Sequence, residues 1–312
     1  MRSAAILVLK LAVSIGLVWF AFSNIDVTST WATLRAIAPA AIVGALVLLS
    51  IQLMMGALRL RALLGGLGTR YRTAAALEVA LIGAFFSQTM VSFVGGDAMR
   101  IWRIIRSRIS VAVAAKSVLF DRVAGFAGLF VLMLAATPFL VRIIPTPEML
   151  AGQALIVLAA LAAVAGVFVL RRVPGILPQG RPVAIAQDVV DSGLAIWRSR
   201  RGAWLVIGLS IAIQLMNVLV LYVIGDGLGI RFSFVDGLLL FPTVLFLSML
   251  PISVAGWGVR EGAMVTALGL VGVPGHQSLA LSVCFGLCLV AISLPGGAIW
   301  LLSRRAPLEQ PS

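Results

Sequence analysis

The sequence contains little charge, one histidine and two cysteines, and each shortage excludes a class of protein. Charged residues are 11% of its 312 residues, against about 25% in a typical soluble domain. A single histidine, His276, supplies too few ligands for a zinc site and too few groups for phosphatase chemistry that uses histidine. Cys284 and Cys288 lie one helical turn apart without the further cysteine or histidine that a metal site needs, so we interpret them as packing residues. We predict neither a metal nor a cofactor.

Hydrophobic residues, in contrast, are abundant. They make up 61% of the chain, the mean hydropathy is +1.12, and the apolar runs are too long for soluble strands or core helices. The net charge of +13 comes mainly from arginines in short clusters beside these runs, as the positive-inside rule requires. The sequence therefore predicts an all-α polytopic membrane protein, with 1–312 as one integral membrane domain, and argues against nucleic acid as a partner.

The apolar runs and their basic flanks predict the membrane topology. Eight runs approach the roughly 20 residues that span a bilayer: 4–22, 40–58, 74–94, 111–141, 151–170, 203–224, 233–255 and 278–302. Clusters expected in the cytoplasm are Arg2 and Lys10; Arg59, Arg61, Arg70 and Arg72; Arg171, Arg172, Arg181, Arg198, Arg200 and Arg201; Arg304 and Arg305. Both termini should therefore be cytoplasmic, in the inner membrane of a bacterial cell.

Two of the runs do not fit this topology as full spans. A complete crossing by 74–94 would place Arg100, Arg103, Arg106 and Arg108 outside, against the positive-inside rule. We therefore predict that 74–110 is a re-entrant hairpin entering from the cytoplasm. The same reasoning makes 233–272 a re-entrant hairpin entering from outside. Six full spans and two oppositely oriented hairpins result.

The tips of the two hairpins are similar in sequence. Aligning S-F-V-G-G with S-V-A-G-W pairs Ser92 with Ser253 and Gly95 with Gly256. We interpret this as an inverted repeat, an arrangement that places substrate sites near the midplane where broken helices meet. Irregular backbone in a membrane needs protein or a water-filled cavity to satisfy its polar groups, so a cavity is expected there.

The only sizeable polar stretch is 171–202. It is shorter than the roughly 40 residues at which domains usually fold unaided, so no soluble catalytic domain is expected. Its apolar spacing predicts a cytoplasmic amphipathic helix on the inner membrane face.

The first candidate group of charged residues lies at the tip of the first predicted hairpin. We expect Asp97 to pair with Arg100 at the i, i+3 spacing and Arg103 to stay free. One interpretation is a salt bridge beside a basic patch that meets lipid headgroups. The other is a phosphate site, in which Gly95 and Gly96 present backbone N–H groups at a helix N-terminus and Arg100 grips the anion.

A second group contains Lys116, Asp121 and Arg122. Because 111–141 exceeds the length needed to span a membrane, Asp121 could lie at the interface. The small residues that follow it allow close helix packing, so we favour burial against the first hairpin, with Asp121 holding Arg122.

The third group is GWGVREG at 256–262. Neighbouring helical residues point apart, so we expect Arg260 and Glu261 to have separate partners. Gly256 and Gly258 with these charges form either an outer interfacial cap or an outer lipid-phosphate contact.

Three motifs resemble those of a known family: GGDAMR at 95–100, DRVAG at 121–125 and GWGVREG at 256–262. In this order they are similar to the lysylphosphatidylglycerol synthase transmembrane region, also described as flippase-like, over nearly the whole chain. The resemblance implies an integral inner-membrane protein of bacteria or archaea. In bifunctional members this region moves an aminoacylated lipid between leaflets, and here we expect it to stand without the aminoacyl-transfer domain.

The favoured function is binding or movement of an anionic, aminoacylated or polyprenyl-phosphate-linked lipid. One alternative is a non-transporting scaffold for a separate lipid-modifying or glycosyltransferase partner. Another is an intramembrane aspartyl protease, because VGGD at 94–97 approaches the Gly-x-Gly-Asp element of that class and Asp121 would be the second carboxylate. Nearby arginines oppose the proton that such a pair shares.

Overall fold

The computed structural model describes residues 26–89, 93–140, 181–198, 200–250 and 255–303, with Ser253 and a few positions between 147 and 162. These residues form helices joined by turns, and no strand occurs among them. The helices are α1 (Val27–Arg35), α2 (Pro39–Gly66), α3 (Thr73–Thr89), α4 (Phe93–Ile105), α5 (Val111–Leu140), α6 (Arg181–Arg198), α7 (Arg200–Gly227), α8 (Phe234–Met249), α9 (Val259–Gly269) and α10 (Gly275–Ser303).

Four of the helices, α2, α5, α7 and α10, are long and apolar enough to cross a membrane. The prediction of an all-α polytopic membrane protein is thereby confirmed. They coincide with four of the six predicted full spans: 40–58, 111–141, 203–224 and 278–302. The other two, 4–22 and most of 151–170, lie outside the described residues. Exposed side chains such as Val43, Val131 and Leu301 place apolar surface where lipid would lie.

Two pairs of shorter helices stand where the sequence predicts re-entrant hairpins. α3 and α4 occupy 74–110, α8 and α9 occupy 233–272, and the helices of each pair pack together. α3 has 17 residues and α8 has 16, fewer than the roughly 20 needed to cross a bilayer. The membrane face from which each pair enters stays a prediction.

Eight of these ten helices form two sets of four with the same order of lengths. α2 to α5 and α7 to α10 each run long, short, short, long. Each packing contact within the first set has a counterpart in the second. Contacts between the sets are also matched: α3 packs on α10 as α8 packs on α5, and α2 packs on α10 as α7 packs on α5. This pattern supports an internal repeat, whose inverted orientation in the membrane stays a prediction.

A glycine brings the two helices of each short pair close together. A Cβ on Gly96 would lie 2.7 Å from the carbonyl oxygen of Gly83, and one on Gly256 would lie 2.9 Å from that of Ser248. Gly256 also has a φ of +80°, a backbone angle that residues other than glycine rarely adopt. Glycine is therefore required by backbone packing at both positions.

α6 is the described helix of the predicted amphipathic loop 171–202, and a side chain of α5 holds it. The Lys116 ammonium lies 2.6 Å from a carboxylate oxygen of Asp188 and donates to the Ser192 hydroxyl at 2.9 Å. Ile196 packs against Leu63 of α2. These contacts join α6 to the long helices, while its place on the cytoplasmic face stays a prediction.

Candidate functional site

Asp121 lies at the centre of a buried ion cluster that joins three helices. It is 5% exposed, on the face of α5 that meets α2 and α4. Arg59 Nε donates to one carboxylate oxygen at 2.8 Å, and Arg100 Nη2 donates to the other at 2.7 Å. Arg59 also donates to the Ser210 hydroxyl on α7 at 3.2 Å. Asp121 is thus buried, as favoured from the sequence, but its partners are Arg59 and Arg100.

The expectation that Asp121 holds Arg122 is wrong. Arg122 reaches Asp97 on α4 in a two-point contact: Nε and Nη2 each donate to a different carboxylate oxygen at 2.8 Å. Neighbouring positions on α5 point in different directions, so Asp121 and Arg122 meet different partners. Asp97 also lies 3.6 Å from Arg100, but the shorter contact of Arg100 is with Asp121. The expected contact of Arg100 with Asp97 is therefore weaker than the contact of Arg100 with Asp121.

Arg103 is not free as expected, because it pairs with Glu78 across the α3–α4 contact. Its Nη1 also donates to the Ser107 hydroxyl at 3.2 Å. The Tyr71 hydroxyl lies 3.3 Å from the same Ser107 hydroxyl. Burial is the main cause that raises the pKa of Tyr71. Sequence spacing missed this pair because Glu78 and Arg103 meet only when α4 folds back on α3.

A cavity of about 250 Å³ opens beside the Asp121 cluster. Its walls come from α2, α3, α4, α5, α7 and α10, so helices of both sets meet there. The polar lining residues are Gln52, Arg59, Ser87, Gln88, Arg100 and Arg122. Three of these are arginines, and the carboxylates bonded to them are Asp97 and Asp121. The cluster formed by these five side chains therefore has one positive charge in excess.

The third predicted group forms a separate buried cluster on α9 and α10. Arg260 is 3% exposed and Glu261 is 1% exposed. Arg260 Nη2 donates to Glu261 Oε1 at 2.7 Å, and the Ser282 hydroxyl lies 3.1 Å from the same oxygen. The expectation of separate partners is wrong, because the long side chains fold back toward each other.

Two neighbours complete this second cluster. The guanidinium carbon of Arg260 lies 4.6 Å from the ring centre of Trp257. Gly258, at a φ of +88°, donates its N–H to the second oxygen of Glu261 at 2.6 Å. Opposite charges are therefore matched within this cluster, in contrast to the excess at the cavity.

The structure thus brings together only part of the predicted site. Asp97, Arg100, Asp121 and Arg122 meet at the cavity, whereas Gly96 serves helix packing. Gly95 lies in the first turn of α4, and its role as an anion ligand stays a prediction. Among the described residues, no three His, Cys, Asp or Glu side chains come close enough to hold a metal ion.

Arg59 is the residue of this cluster that the sequence analysis does not place at the site. The sequence presents it only as part of the basic flank after the run 40–58, and its side of the membrane stays a prediction. α2 instead continues to Gly66, and Leu60, Leu63 and Leu64 after Arg59 are buried. Those apolar positions were the available signal that the helix keeps an interior face beyond the run.

Comparison with known protein families gives a match over most of the chain. The model of a family described as the lysylphosphatidylglycerol synthase TM region matches residues 7–296. The matched range includes the cavity lining and both buried ion clusters. No curated protein matches the chain.

Proposed function

This chain belongs to the lysylphosphatidylglycerol synthase transmembrane family, and on that premise we propose that it binds a phosphate-bearing anionic lipid in the cavity and moves it between leaflets. Aminoacylated and polyprenyl-phosphate-linked lipids fall within this class. The observation that carries the proposal is the excess positive charge of the arginine cluster beside a cavity among apolar helices. Charge buried among membrane-spanning helices is costly and usually serves function.

A phosphodiester matches the cluster in charge and in shape. It brings one negative charge, which would balance the excess left by Arg59, Arg100 and Arg122. Guanidinium groups present several donors in one plane and suit phosphate oxygens. Arg100 has a donor to spare, since its Nε is buried and meets no hydrogen-bond acceptor within the described part of the chain. A bound phosphate oxygen would satisfy such a donor.

The cavity position also suits movement between leaflets. Its walls combine helices of the two matched sets, and substrate sites of repeat-built transporters lie at such boundaries. We further propose an inner-membrane location with both termini cytoplasmic, on the distribution of arginines.

The protease alternative is not supported by the same geometry. Both oxygens of Asp121 and both oxygens of Asp97 accept hydrogen bonds from guanidinium groups. An aspartyl protease needs a carboxylate pair that shares one proton, whereas each of these carboxylates is bonded to arginines.

The test of binding is the Arg100→Lys variant. Lysine keeps the charge but cannot hold Asp121 and a phosphate oxygen with one planar group, so we expect affinity for an anionic phospholipid to fall about tenfold. Binding is measured on purified protein in detergent by titration with phosphatidylglycerol.

Arg61→Lys is the matched control. Arg61 is on α2, the helix that carries Arg59, but it is exposed, and its Nη1 donates to the Thr73 hydroxyl at 3.1 Å. This variant should bind as the wild type does. Equal affinity of Arg100→Lys and Arg61→Lys would contradict the phosphate site and leave the cluster a structural element.

A further inference from the structure

Three side-chain amides form a chain of hydrogen bonds that ends at the cavity. Gln214 Nε2 on α7 donates to the carbonyl oxygen of Gly125 on α5 at 3.0 Å. Asn217 Nδ2 donates to Gln214 Oε1 at 3.0 Å. Gln52 Nε2 on α2 donates to Asn217 Oδ1 at 2.9 Å, and Gln52 lines the cavity beside Arg59.

The backbone carbonyl determines the direction of this chain. A carbonyl oxygen can only accept, so Gln214 must present its NH₂ group to Gly125 and its oxygen to Asn217. Asn217 must then present its oxygen to Gln52. The amide orientation of Gln52 therefore follows from the hydrogen bond between Gln214 and the Gly125 carbonyl. It does not depend on a separate assignment of the nitrogen and oxygen atoms of Gln52.

The last acceptor in this series of hydrogen bonds is the amide oxygen of Gln52. Gln52 Oε1 is buried and has no hydrogen-bond partner among the residues that the structure describes, although its nitrogen is held in place. Buried acceptors are rarely left unsatisfied, and a fixed one is expected to meet a donor. The arginines that line the cavity supply hydrogen-bond donors for an anion, whereas Gln52 supplies an acceptor. The arginines can therefore bind an anion, and Gln52 can bind a hydrogen-bond donor.

We infer that Gln52 selects lipids whose headgroup carries a hydroxyl or ammonium group close to the phosphate. This inference rests on the proposed function: the arginines hold the phosphate, and the headgroup donor meets Gln52 Oε1. A lipid with the same charge but no donor leaves that oxygen without a partner. Asn217 and Gln214 act as positioning residues, since they hold the amide without lining the cavity.

The test compares lipids that differ only in the donor. Phosphatidylglycerol and phosphatidylpropanol have the same charge and nearly the same headgroup size, but only the former has hydroxyl groups. Titration of the wild-type protein with both, in identical acyl forms, should show about tenfold tighter binding of phosphatidylglycerol, the effect of one buried hydrogen bond. Phosphatidylethanolamine should likewise bind more tightly than phosphatidylcholine, which has no N–H.

The variant Gln52→Met links the preference to this residue. Methionine has a similar length but offers no amide oxygen, so the ratio of the two affinities should fall to about one. Gln187→Met, at an exposed position on α6, is the control and should keep the preference.

The outcomes separate this inference from the proposed function. Equal binding of both lipids by the wild-type protein overturns the role of Gln52, since water alone then satisfies its oxygen. A preference that survives in Gln52→Met also overturns it. Failure of the wild type to bind either anionic lipid overturns the proposed function and, with it, this inference.

Discussion

Asp121 shows at the residue scale how a tertiary contact prevails over local spacing. The i, i+3 rule predicts an Asp97–Arg100 pair, which forms at 3.6 Å, while Asp121 from another helix binds the same arginine at 2.7 Å. Burial strengthens the second contact because water does not screen it. Sequence identified Arg100 and Asp121 but not Arg59, and it could not assign the pairs, since these three residues come from three different helices.

Replacing Asp121 by asparagine should destabilise the protein strongly. The change removes the one carboxylate that Arg59 and Arg100 share, and leaving buried charge without its partner costs about 3–5 kcal/mol. We expect low folded yield and a lower melting temperature in detergent. Asp188→Asn is the control, because that side chain is 61% exposed and exposed pairs contribute about 0–1 kcal/mol. Similar melting temperatures for the two variants would contradict the buried cluster.

At the element scale, hydrophobic run length predicted the four long helices, because a span must satisfy its backbone internally over a fixed thickness. Run length could not predict the end of α2, which continues past Arg59 to Gly66. It also could not align the short pairs fully. In each pair the closely packed glycine is followed four residues later by an arginine, so Gly96 with Arg100 corresponds to Gly256 with Arg260. This correspondence differs by one residue from the predicted pairing of Gly95 with Gly256, which stays a prediction.

The contact between α10 and α3 depends on a glycine. A Cβ on Gly296 would lie 2.0 Å from the carbonyl oxygen of Leu81, so the variant Gly296→Ala must push the two helices apart. We expect a lower melting temperature, as for overpacked sites, which lose about 1–3 kcal/mol. Gly208→Ala on α7 is the control, because no described atom lies within 4 Å of its added Cβ. There the better helix propensity of alanine should leave stability unchanged or raised by about 0.5–1 kcal/mol. Equal destabilisation by both variants would contradict the packing of α3 on α10.

For the whole molecule, the two matched sets of helices relate architecture to the proposed transport. The sets meet at the cavity, so relative motion between them would change the side from which the arginine cluster is reached. The sequence indicated a repeat only through short tip motifs, while the full pattern lies in which helices pack together. That pattern depends on tertiary packing and has no sequence period.

The predicted topology has a direct test. Cysteines introduced as Arg2→Cys and Arg305→Cys should be shielded from an impermeant thiol reagent in intact cells, because both termini are expected in the cytoplasm. Arg231→Cys, in the loop expected outside, is the positive control. The native cysteines are buried and should contribute little background. Labelling of position 2 or 305 from outside would contradict the topology.

The central claim is that an anionic lipid moves between leaflets through the arginine-lined cavity. Vesicles with the purified protein and a trace of acyl-labelled fluorescent phosphatidylglycerol are treated with an impermeant quencher, and the protected fraction is measured. Without protein, about half of the label should stay protected, because it sits in the inner leaflet. With the wild type and with Arg61→Lys, the protected fraction should fall well below half, and with Arg100→Lys it should fall more slowly. A wild-type protected fraction equal to that of protein-free vesicles would contradict the account.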